Sequence, residues 1–89
     1  MDIPSNWKHK SGYHLNGDGS QIKYNHEEKE LLAIVERTGP AFSPTTGEYY
    51  TVLFQTSDKY PHEKVEPHSF FVNKENAKQN LCRLMEKHQ

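Results

Sequence analysis

Large aliphatic side chains are scarce in this chain, and that scarcity most tightly constrains its fold. Leu, Ile, Val and Phe together make up 17 of the 89 residues, just under the fifth at which chains begin to fail to bury a core. Disorder of that origin normally accompanies high net charge, yet 11 Lys and Arg against 12 Asp and Glu leave only −1 here. Five Tyr, four Phe and one Trp also favour folding, because each ring buries a large area. One small domain is expected, since a second core could not be filled at this length. Residues 1–10 read as a flexible N-terminal arm carrying Trp7, and residues 11–89 as a single small domain.

Several function classes are disfavoured. No apolar run approaches the ~20 residues of a membrane helix, so no membrane association is expected. The opening Met1-Asp2-Ile3-Pro4-Ser5 lacks the basic-then-apolar order of a signal peptide. The single Cys82 can form neither an internal disulfide nor a cysteine-based zinc site. A reducing, cytoplasmic location is the expectation. Near-neutral charge lacks the overall basic footprint of a nucleic-acid binder, although a local patch can survive it. Protonation of all six histidines would move the charge from −1 to +5, but surface histidines rarely act as a switch.

Along the chain, Tyr13-His14-Leu15 and Ile22-Lys23-Tyr24 flank the glycine-rich Asn16-Gly17-Asp18-Gly19-Ser20, the pattern of a hairpin. Residues 26–37 support two readings. Asn25 with Glu28 fits a helix capping box, closed by Arg37, Gly39 and Pro40. Leu31-Leu32-Ala33-Ile34-Val35 equally fits a buried strand, and periodicity does not separate the two. Residues 37–48 form a turn-rich connector. Tyr49–Thr56 alternates cleanly, Tyr50, Val52 and Phe54 on one face and Tyr49, Thr51 and Leu53 on the other. Ser57–Pro67 reads as a long polar loop before a short Phe70-Phe71-Val72 strand.

Lys74–His88 reads as a helix. Asn73 caps it, and Ala77, Leu81, Leu84, Met85 and His88 fall within about 100° of its circumference. The predicted fold is α+β, a small antiparallel sheet of three to five strands with this C-terminal helix packed on one face.

Residues 31–88 resemble the C-terminal part of a double-stranded RNA-binding domain. The resemblance rests on Val35-Glu36-Arg37-Thr38-Gly39-Pro40-Ala41-Phe42, on Tyr49-Tyr50-Thr51-Val52-Leu53-Phe54, and on Asn73-Lys74-Glu75-Asn76-Ala77-Lys78-Gln79. In that family a Gly-Pro loop enters an RNA minor groove and a Lys-Lys-x-Ala-Lys helix start grips phosphates. The resemblance favours a strand at Leu31–Arg37 and implies RNA contacts at Lys74, Lys78, Gly39, Pro40 and Phe42. Glu75 stands where the family has its middle lysine, Phe42 where its loop usually has histidine, and a hairpin pattern where its first helix belongs. Duplex RNA is read mainly through shape, phosphates and 2′-OH groups, so a few well-placed cations suffice. The plainer alternative is that Lys74 and Lys78 lie along the apolar stripe with their ammonium groups in water.

The remaining constellations carry less. His9 with His14 and His62 with His68 miss the i, i+4 spacing of a helical zinc pair. Cys82 lacks a local histidine to activate it, and Glu27, Glu28 and Glu30 are too clustered for a buried acid–base pair. Neither catalytic residues nor a metal or cofactor is expected. With one helix for a two-faced sheet, apolar groups on the far face need cover. A protein-interaction or homodimerisation module using Trp7, Tyr49 and Leu53 is therefore the rival to RNA binding. Salt separates them, because phosphate contacts weaken steeply with it and apolar contacts do not.

Overall fold

A computed structural model describes residues 3–17, 19–38 and 49–89. The chain forms a five-stranded sheet in the order β1-β2-β3-β4-β5, every neighbouring pair antiparallel. The strands are β1 (Lys8–His9), β2 (Gln21–His26), β3 (Leu31–Thr38), β4 (Tyr49–Thr56) and β5 (Lys64–Phe71), followed by helix α1 (Lys74–Lys87). The small α+β fold read from the sequence is thus the fold observed.

β3 is the centre of the sheet, which explains its unbroken apolar run. Its residues 31–35 are buried on both faces, and a strand covered on both sides loses the polar alternation that marks a half-exposed one. Leu31, Ala33 and Val35 face α1 with Tyr24, Val52 and Phe54, and meet Ala77, Leu81 and Met85 of the helix. Ala33 and Ala77, both with 0% exposure, let helix and sheet approach closely. The Asn73 carboxamide accepts the Asn76 N–H at 3.1 Å, so the cap read from sequence is formed.

Of the two readings of residues 26–37, the strand is the one observed: His26 ends β2, and residues 27–30 turn into β3 with Glu30 at φ +55°. The His26 Nδ1 atom accepts the Lys29 N–H at 3.2 Å and holds that turn.

The partner of β2 in the N-terminal region is not Tyr13–Leu15. It is β1, with Lys8 opposite Asn25 and His9 opposite Tyr24. Trp7, expected in a loose arm, is 2% exposed, and its burial sets Lys8 and His9 beside β2. Burying that indole removes far more apolar area from water than pairing Tyr13 would.

β5 is longer than expected and includes Pro67. Proline is tolerated there because β5 is an edge strand, whose outward backbone groups need no ladder partner. Its pairing with β4 shifts register between Val52 and Gln55.

Candidate nucleic-acid interface

Antiparallel partners share a face, so the register assigns every strand residue to one side of the sheet. Tyr24, Ala33 and Phe54 form one cross-strand row on the α1 face. The adjacent rows therefore project from the far face: Lys8, Asn25, Leu32 and Gln55 in one, and Lys23, Ile34 and Leu53 in the other. The Lys10 N–H donates to the Lys23 carbonyl at 2.8 Å, which continues the β1–β2 ladder and places Lys10 beside Lys23. Three ammonium groups thus share one face, although Lys23 is thirteen residues from Lys10 in the sequence.

These lysines line a cleft of about 580 Å³ with Leu32 at its base. Its other walls bring in His9, Asn25 and Glu27, and Ser57 and His62 from the β4–β5 connection. Glu27 is the one carboxylate among these lining residues. The Tyr13 ring lies under the Lys23 ammonium, with Nζ 4.2 Å from the centroid, and the Lys10 Nζ is 5.8 Å away. The negative face of the ring holds these cations in place without neutralising them. The His9 Nε2–H donates to the Tyr13 carbonyl at 2.9 Å, tying the ring-bearing segment to β1.

The resemblance-derived residues lie elsewhere. Lys74 and Glu75 are exposed and Lys78 is half-buried at the start of α1. One backbone donor of that helix start is already occupied by Asn73. Gly39, Pro40 and Phe42 lie outside the described residues. The strand ends flanking them, Thr38 and Tyr49, are at the same end of the sheet as the start of α1, since Tyr50 pairs with Phe71. The cleft is at the opposite end and on the opposite face.

The rival trio is divided. Tyr49 and Leu53 share the far face through their pairing with Thr38 and Ile34. Trp7 is buried on the α1 side against Phe54 and His26, at ring-centroid distances of 5.5 and 5.2 Å. Tyr49 instead meets Phe70, with ring centroids 6.0 Å apart, and Phe70 is 65% exposed.

Comparison of the chain with protein-family models, curated proteins and solved structures finds no match. Among the described residues, no group of three or more His, Cys, Asp or Glu is placed to hold a metal ion. No described helix is long and apolar enough to cross a membrane.

The lysine cleft escaped sequence reasoning because its parts come from an assumed arm, a strand and a loop. The alternation Trp7-Lys8-His9-Lys10 is its only local signal: in a strand it places both lysines opposite the tryptophan.

Proposed function

We propose that the protein is a non-enzymatic RNA-binding module whose main phosphate contacts are Lys8, Lys10 and Lys23. The observation that carries this reading is the convergence of the three lysines on a cleft with one carboxylate among its lining residues. Lys8 and Lys10 are two strand positions apart, roughly 6.8 Å, comparable to the separation of successive phosphates on a polynucleotide. None of the three is held in an ion pair among the described residues, so all remain available to displace counterions from RNA. The resemblance of residues 31–88 to a double-stranded RNA-binding domain supports the same ligand class. It puts the contact at Lys74 and Lys78 instead, where Glu75 opposes phosphate.

Fluorescence anisotropy with labelled RNA at 50 and 200 mM salt tests this. Wild type should bind with a steep salt dependence. Lys8→Ala, Lys10→Ala and Lys23→Ala combined should shallow the log–log slope by about 2, at roughly 0.7–0.9 per phosphate contact. Lys74→Ala with Lys78→Ala should change it little, and the reverse ranking would move the interface to the helix start.

A protein-binding alternative draws on Phe70 and Val72, 65% and 77% exposed. It predicts association that is insensitive to salt.

A further inference from the structure

The far face differs chemically from one end to the other, and resting on the RNA reading above, we infer that it takes a single-stranded rather than a duplex segment. At the end formed by Gln55 and Leu32 stand the cleft lysines. Six residues away along β4, roughly 20 Å at the strand rise, is the Tyr49–Phe70 pair. Between them Ile34 and Thr51 are only 2% and 8% exposed and Leu53 is half-buried, so the accessible surface of this face lies at its two ends. On the same face the Glu36 carboxylate accepts a hydrogen bond from the Gln21 carboxamide at 2.6 Å.

A duplex has use for only half of this surface. Its phosphates suit the lysines, but its base faces are stacked within the helix and unavailable to a protein ring. A single strand offers phosphates and unstacked bases together, and exposed aromatic rings beside a cationic groove are how sequence-tolerant single-strand binders hold both. Phe70 supplies such a ring. A phenylalanine 65% exposed contributes little to the fold, and its T-shaped contact with Tyr49 at 67° can cover at most one face of its ring, which leaves the other for stacking. The charge complementarity of the lysine end selects a polyanion, and the rings select one with accessible bases.

The test uses the full 89-residue chain and two labelled probes, a 12-nucleotide uridine-rich single strand and a 12-base-pair RNA duplex. The single strand should bind more tightly. Phe70→Ala and Phe70→Leu should each weaken it about tenfold while leaving duplex binding and the salt slope unchanged. The leucine variant retains apolar bulk, so equal loss in both assigns the effect to the ring. The lysine variants should weaken both probes. Thermal melts establish that the Phe70 variants fold.

Duplex binding equal to or tighter than single-strand binding, with no response to Phe70, overturns this inference and leaves the RNA reading standing. Failure of folded wild type to bind either probe at low salt overturns both. Salt-insensitive self-association abolished by Phe70→Ala reassigns the face to a second copy of the chain.

Discussion

The Trp7 indole N–H donates to the Met85 carbonyl at 3.0 Å across 78 positions of sequence. Met85 lies in the last turn of α1, where carbonyls lack an intrahelical partner; the neighbouring Leu84 carbonyl takes the His88 N–H at 3.1 Å. Trp7 therefore both fills the space beside Phe54 and caps the helix end, joining the two extremities of the chain. Trp7→Phe should retain most of the packing and cost about 1–3 kcal/mol for the orphaned carbonyl. Trp7→Ala should cost about 3–5 kcal/mol. Urea denaturation measures both, and a near-wild-type midpoint for Trp7→Ala would return residues 1–10 to the status of a loose arm.

Leu81 and Leu84 stand on the same helix stripe but differ in burial, 0% exposed against half-buried. Leu81→Ala should lose about 2–5 kcal/mol, since the packing around a fully enclosed cavity relaxes only partially. Leu84→Ala should lose clearly less. Equal losses in parallel denaturation curves would contradict the packing of α1.

Glu66 joins β5 to the end of α1. Its carboxylate lies 2.6 Å from the His88 Nε2 and 3.1 Å from the Lys87 Nζ. The hydrogen bond from His88, then that from Lys87, holds its pKa below the ordinary 4.5. A lowered folded pKa stabilises the fold above the ordinary value, and that contribution disappears as pH falls through the folded value. Wild type should therefore lose stability on acidification below about pH 4.5 more steeply than Glu66→Gln. Melting midpoints between pH 3 and 6 provide the comparison, and parallel curves would remove Glu66 from the acid limb.

Glu30 has the opposite linkage. A hydrogen bond with the Asp58 carboxyl, then its charge, raises the Glu30 pKa above 4.5. A raised folded pKa stabilises the fold below the ordinary value, and the contribution is lost as pH rises through the folded value. Glu30→Gln should thus flatten this part of the profile. The residue also occupies the left-handed region at φ +55°, which asparagine tolerates better than glutamate. Glu30→Asn should raise the melting midpoint by a few degrees at pH 7, a gain that calorimetry would detect; a lower midpoint would contradict both the strain and the charge argument.

β4, α1 and the Asn73 cap were legible because each is governed by neighbours in sequence: alternation over Tyr49–Thr56, a stripe from Ala77 to Met85, and a side chain three residues from the N–H it accepts. Leu31–Val35 was ambiguous for the physical reason that complete burial erases periodicity. Only the strands on either side, β2 and β4, made it a strand. Pro67 read as loop because proline's tolerance in β5 depends on that strand having no outer neighbour, a fact of sheet order. Trp7 and the lysine cleft were the least legible. The position of the indole depends on a carbonyl 78 residues away, and Lys8 and Lys10 meet Lys23 only once that burial has set β1 beside β2. Local sequence determined which segments could be strand or helix; the tertiary structure decided which side chains share a surface, because pairing register and core burial act between residues that sequence does not make neighbours.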